Sequence, residues 1–333
     1  MINIIIFEPV TKEGYEMKQD ICALCYMGIW WRQRACLWSI LTTFMLFPFI
    51  VSAQTQRALL VGISDYKSHP QNTGWDNIHG AEDAQLVNEA LKKQGFEDIV
   101  MLLDSEATHN HIVEEFHQLA KRTKEGDTLL FFFSGHGQPF EDLDGDEGVE
   151  DGWDESLVPY DAPSSYSKGE YEGEHHITDD QLYLLMLSLR RAAGPQGMIY
   201  SLLDACYSGS LMRGDEETEP TSHIRTSILG FCINGYRPFI PARTCRTYRQ
   251  LESLKGCAPL IALEASMPHQ SNREIIVGDK SYGPLCYHVV EVLKNQNISS
   301  NHEWIRNVIK NYRADKRLYK QFIFCEFTSP FKL

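Results

Sequence analysis

Thr128-Leu129-Leu130-Phe131-Phe132-Phe133-Ser134-Gly135-His136-Gly137 decides how the rest of the chain is read. The run from Thr128 to Phe133 is apolar, aromatic and short, which predicts a buried strand. It leads directly into a histidine between two glycines, a composition suited to a tight turn that a substrate backbone can approach closely. Upstream, Ala58 to Ile63 reads as a buried strand, Leu86, Val87, Ala90 and Leu91 repeat at helical spacing, and Ile99 to Leu103 reads as strand. Ile112, Val113, Phe116, Leu119 and Ala120 form the next apolar helix face.

Downstream lies an acidic, Gly-rich loop from Glu141 to Glu155 with nine carboxylates. Thr178-Asp179-Asp180-Gln181 is a capping box that opens an apolar helix running through Leu189. Met198 to Leu203 is the next strand and ends in Asp204-Ala205-Cys206. Ser210 to Gly256 has poor periodicity and reads as a long loop. Pro259 to Leu263 resumes as strand, Leu285 to Leu293 and Trp304 to Tyr312 as helices, and Phe322 to Phe327 as a last strand. Such alternation predicts an α/β fold, a parallel sheet covered by helices, with no internal repeat.

The strands ending at His136 and Cys206 are joined through the helix that begins at Thr178, a crossover that makes them parallel. Both residues then leave the sheet at its carboxyl rim, where open parallel sheets bind ligands. Neighbouring strands lie roughly 5 Å apart, so thiol and imidazole fall within reach of each other. Taken singly, a cysteine after a strand is usually a small buried hydrophobe and a loop histidine is usually solvated. Together, with Ser208-Gly209 following the cysteine, they fit a nucleophile and base distant in sequence and adjacent in the fold.

Ser134-Gly135-His136-Gly137 and Asp204-Ala205-Cys206-Tyr207-Ser208-Gly209 resemble the two active-site motifs of the metacaspases and related bacterial caspase-like peptidases. The likeness extends to Arg57-Ala58-Leu59-Leu60-Val61-Gly62-Ile63, Gly80-Ala81-Glu82-Asp83-Ala84, Asp154-Glu155-Ser156-Leu157-Val158-Pro159 and Ile177-Thr178-Asp179-Asp180, and thins after Ser210. It implies a caspase-type sandwich, with helices on both faces of a central, mostly parallel sheet of about six strands. It implies peptide-bond hydrolysis, with Cys206 attacking the scissile carbonyl and His136 serving as general acid and base. The N–H groups of Gly137 and Cys206 are the implied oxyanion donors, each worth roughly 3 kcal/mol.

By the same resemblance Asp83 and Asp204 line the pocket for the residue before the scissile bond, which would then be Arg or Lys. Without the resemblance, Asp83 reads as a first-turn acid and Asp204 as a turn residue. Asp154, Asp179 and Asp180 match three of the family's four calcium ligands, while the fourth position is Arg213. Asp142, Asp144 and Asp146 lie nearby without the glycine and distal glutamate of an EF-hand. Calcium is therefore expected as an activator only, and the chemistry itself needs no cofactor. Two other classes compete: a catalytically silent caspase-fold binding module, and a clostripain-like or gingipain-like peptidase. The intact His136 and Cys206 oppose the first, and the Asp179-Asp180 pair opposes the second.

The formal net charge of −14 over 333 residues opposes non-specific nucleic-acid binding, which selects for clustered Lys and Arg. Arg32 and Arg34 precede an apolar run from Ala35 to Val51, and Val51-Ser52-Ala53 offers a small-residue cleavage site. Residues 27–53 are thus expected to be a secretory signal cleaved after Ala53, giving a periplasmic or extracellular protein with no stable membrane anchor. Residues 1–26 read as a misplaced start, and the Cys22/Cys25 pair receives no function. Residues 54–333 form the expected peptidase domain, divided into a large-subunit-like part at 54–212, a linker at 213–257 and a small-subunit-like part at 258–333. The loop after Cys206 carries Arg213, Arg225, Arg237, Arg243, Arg246, Arg249 and Lys255, and is expected to be a self-cleavage segment.

Overall fold

The computed structural model describes residues 54–143, 153–205, 225, 230–233, 246–267, 270–298 and 301–332. The expected signal segment, the expected nucleophile Cys206, Arg213, Asp144, Asp146 and most of the expected linker lie outside the described residues. Gln54–Leu333 form one compact unit.

Its centre is a seven-stranded sheet. Four strands are parallel: β1 (Gln56–Gly62) lies between β2 (Asp98–Leu103) and β3 (Thr128–Ser134), and β3 pairs with β7 (Met198–Asp204). β9 (Leu260–Glu264) continues in parallel beside β7. β12 (Phe324–Phe327) then runs antiparallel to β9, and β8 (Tyr248–Gln250) closes that edge. A second, three-stranded antiparallel sheet joins β4 (Gly137–Glu141), β5 (Trp153–Leu157) and β6 (Ile177–Thr178). Two further strands, β10 (Ile275–Val277) and β11 (Lys280–Tyr282), form a hairpin. The mostly parallel α/β architecture agrees with the sequence reading. The central sheet has one strand more than expected, because β8 is a short pairing inside the stretch read as loop.

Among the described residues, five α-helices cover the sheet: α1 (Gly80–Lys93), α2 (His109–Arg122), α3 (Asp179–Ala193), α4 (Pro284–Leu293) and α5 (Glu303–Ala314). Successive residues of a strand face opposite sides, and β3 shows both sides filled. Leu130 and Phe132 pack with residues of α1, α4 and α5, whereas Leu129, Phe131 and Phe133 pack with residues of α2 and α3. Half of the expected capping box forms: Thr178 Oγ1 accepts the N–H of Gln181 at the start of α3, while the Gln181 side chain meets the His109 ring.

Two features of this frame set up the site. The register pairs Ser134 with Asp204, so β3 and β7 leave the sheet at the same level, and His136 and Cys206 each follow two residues later in the chain. Gly80 lets α1 press on that rim, since a Cβ there would stand 2.2 Å from the carbonyl oxygen of Ser134. The close approach carries Asp83, in the first turn of α1, over the end of β3.

Candidate active site

His136 is almost fully buried between aromatic rings, stacked on Trp75 at 4.8 Å between centroids and tilted against Tyr66 at 4.9 Å. The Tyr66 hydroxyl accepts the His136 N–H at 3.1 Å and donates to the Val158 carbonyl at 2.8 Å. Val158 in turn donates its N–H to the His136 carbonyl at 3.0 Å. The ring Nε2 lies 2.8 Å from the Asp76 carbonyl, which can only accept, so Nε2 carries the proton. Nδ1 is buried and makes no hydrogen bond. Burial holds the imidazole pKa down at about 4, against the raising effect of the Asp76 carbonyl. The ring is therefore neutral at pH 7, with a lone pair on Nδ1 able to take a proton from a thiol.

Asp83 and Asp204 are brought together, both fully buried. Ser134 Oγ donates to Asp83 Oδ2 at 2.8 Å, and the Gly283 N–H donates to the same carboxylate at 3.0 Å. Asp204 accepts from the Asn272 side-chain amide at 2.8 Å and from the Cys286 N–H at 2.7 Å. Gly283 is required at the floor of this pocket: a Cβ there would lie 2.3 Å from Asp204 Oδ2 and 2.6 Å from Asp83 Oδ2.

Arg225 lies against these two aspartates, with its side chain fully buried. Nη2 meets Asp83 Oδ2 at 2.7 Å and Glu274 Oε1 at 2.8 Å, and Nη1 donates to the Asp204 carbonyl at 3.0 Å and to Ser134 Oγ. The Arg225 backbone is held on both sides as well. Its carbonyl accepts the Gly137 N–H at 3.1 Å, and its N–H donates to the Asn272 carbonyl at 3.1 Å. Gly137 was read from sequence as an oxyanion donor, and here its N–H is engaged by that carbonyl.

Three carboxylates around one guanidinium leave a surplus of buried negative charge. Burial pushes Asp83 up to about 6 and Asp204 upward, each against the pull of Arg225. Glu274 is held below its ordinary value despite burial, because Arg225 and the N–H and ring of His79 favour its charged form.

The remaining residues singled out in the sequence lie elsewhere. Asp154 is buried on β5, and Asp179 and Asp180 open α3 just after β6, which pairs with β5 through Ser156 and Thr178. Among the described residues no group of three or more His, Cys, Asp or Glu side chains is gathered to hold a metal ion. Cys257, Cys286 and Cys325 are thiols outside any disulfide. Among the described residues no helix is long and apolar enough to cross a membrane.

The family pattern described as the metacaspase peptidase C14 domain matches residues 56–214. Metacaspase-1 of Pyricularia oryzae is 31% identical over 314 residues, spanning 81% of this chain and 72% of its own length. The chain belongs to the metacaspase family of cysteine peptidases. Metacaspase-1B of Neurospora crassa is 33% identical over 162 residues, and metacaspase-1A of Aspergillus fumigatus 32% over 166, each match covering 47% of this chain. Those two matches span only 34% and 36% of the relatives' lengths. The crystal structure of protein GSU0716 from Geobacter sulfurreducens shares the fold, with a TM-score of 0.54 at 15% identity over 83% of this chain and 95% of that one.

Arg225, Glu274, Asn272, Gly283, Tyr66 and Trp75 lie around His136, Asp83 and Asp204 and were not singled out as site residues from sequence. Arg225 was visible only as one of several basic residues in a loop. The others join the site through contacts between residues far apart in the chain, such as the ion pair from Arg225 to Glu274.

Proposed function

We propose that this metacaspase is an endopeptidase that cuts after arginine or lysine, with Cys206 as nucleophile and His136 as acid and base. The observation that carries the reading is Arg225, held as a substrate residue before a scissile bond would be held. Its cation sits among carboxylates, its carbonyl rests on a backbone N–H, and its own N–H is paired. Main-chain pairing plus a side-chain pocket is how extended peptides are recognised.

In the proposed reaction His136 Nδ1 takes the Cys206 proton and the thiolate attacks the carbonyl carbon after which the chain is cut. The Gly137 N–H, with that of Cys206, stabilises the oxyanion. The imidazolium protonates the leaving amine, and the neutral ring then deprotonates a water that hydrolyses the thioester. The bond following Arg225 is the proposed self-cleavage bond. While Arg225 occupies the pocket no second arginine can enter, so the segment also restrains the enzyme toward other substrates.

Calcium activation through Asp154, Asp179 and Asp180 belongs to the proposal and would require ligands from beyond the described residues. Export by residues 27–53 is likewise proposed, and N-terminal sequencing of the mature protein beginning at Gln54 tests it. The direct assay is turnover of fluorogenic Arg, Lys and Asp peptides by residues 54–333. Arg or Lys peptides should be cut, Asp peptides should not, and both Cys206→Ala and His136→Ala should be inactive with unchanged circular dichroism. Activity surviving in Cys206→Ala removes the peptidase assignment.

A further inference from the structure

Resting on that reading of the pocket, we propose that Glu274 and Ser134 make this metacaspase select arginine over lysine. The two terminal nitrogens of Arg225 go to different places. Nη2 bridges Asp83 and Glu274 at 2.7 and 2.8 Å, while Nη1 is received by Ser134 Oγ and by the Asp204 carbonyl at 3.0 Å. Every one of these acceptors is buried. A guanidinium presents a rigid planar fork that matches such a divided set, whereas an ammonium is a single point of charge. A lysine Nζ placed between Asp83 and Glu274 abandons the Ser134 and Asp204 acceptors. Placed beside those acceptors, it abandons Glu274.

Leaving buried polar groups unpaired is what gives a site strong discrimination between similar substrates. Glu274 is the acid that extends the pocket sideways. It is fixed before any substrate arrives: the His79 N–H donates to Oε1 at 2.8 Å, and the His79 ring meets Oε2 at 2.6 Å. Asn272, two residues earlier in the chain, holds both Asp204 and the substrate-like backbone N–H of Arg225. One short segment thus supplies the third carboxylate and a main-chain anchor.

The test compares paired Arg and Lys peptides on the full chain carrying Arg225→Ala, so that the pocket's own occupant does not compete, with and without Glu274→Gln. With Glu274 present, kcat/KM should favour Arg over Lys by about 100-fold or more. Glu274→Gln should shrink that ratio at least tenfold, a change that a general loss of fold, acting on both peptides alike, does not produce. A second measurement leaves the pocket acids untouched. Arg225→Lys in the otherwise native chain should slow self-cleavage after residue 225 at least tenfold by mass spectrometry. Equal cleavage of Arg and Lys peptides, or an Arg-to-Lys ratio that Glu274→Gln leaves unchanged, overturns the selection while keeping the peptidase. Cleavage of neither peptide removes the peptidase reading itself.

Discussion

The carbonyl oxygen of Arg225 accepts the N–H of Gly137 at 3.1 Å, while the guanidinium of the same residue is buried against Asp83 and Glu274. A residue that merely neutralised buried acids would need only its side chain there. Arg225 instead also brings its carbonyl to the donor that the family resemblance assigns to the oxyanion, as a bound peptide residue would.

Emptying the pocket should have two opposite consequences. In Arg225→Ala the apparent KM for Arg peptides should fall at least tenfold, because substrate no longer competes with a tethered side chain. Stability should fall by about 3 kcal/mol, the usual cost of leaving buried charges without their partner. Peptide kinetics and urea unfolding measure the two effects, and an unchanged KM would mean that the segment leaves the pocket without hindering substrate.

The pH dependence follows from which group takes a proton first. With an arginine in the pocket, Asp83 titrates near pH 6 and His136 only near pH 4. Arginine binding therefore weakens as pH falls below about 6, so KM for Arg peptides should rise there rather than only near 4. For stability, the His136 pKa is depressed from 6.5 to about 4, so between those values the unfolded chain holds a proton that the native one does not. Its contribution falls as pH drops through that window, by about 1.4 kcal/mol per unit. Urea midpoints from pH 7 to 4 in Cys206→Ala, compared with a His136→Gln partner, isolate this term.

Gly283→Ala should disable the pocket more than the fold. The added Cβ would meet both Asp83 and Asp204, so Arg turnover should drop about 100-fold or more. Helical content by circular dichroism should be retained. Full Arg activity in this variant would place the substrate pocket elsewhere.

Calcium is tested by binding rather than by activity alone. Calorimetry should detect calcium on the full chain and lose it in Asp154→Asn or Asp180→Asn. Absence of heat at millimolar calcium removes the activator role.

The central strands were legible because both of their faces are buried. A run such as Leu129 to Phe133 has no alternation to confuse, and its neighbours α2 and α3 repeat their apolar residues at helical spacing. β8 was not legible: Tyr248, Arg249 and Gln250 are all exposed and carry no apolar signal, and their pairing with β12 is a tertiary event. The hairpin of β10 and β11 is hidden for a similar reason, being three residues per strand. His136, Cys206, Asp83 and Asp204 stood out because they fall within motifs spread along the chain. Nothing local distinguishes Arg225 from the other basic residues of the linker. It becomes exceptional only when folding surrounds it with acids from Asp83, Asp204 and Glu274, as many as 142 residues away.

Intact-mass and peptide mass spectrometry of the purified full chain, with and without Cys206→Ala, reads directly whether Arg225 is a substrate of the chain that carries it. A cut after Arg225 should be the principal internal cleavage of the native chain and should be absent from Cys206→Ala. A native chain that cuts Arg peptides but stays whole after Arg225, or a cut there that persists in Cys206→Ala, would contradict this reading of Arg225.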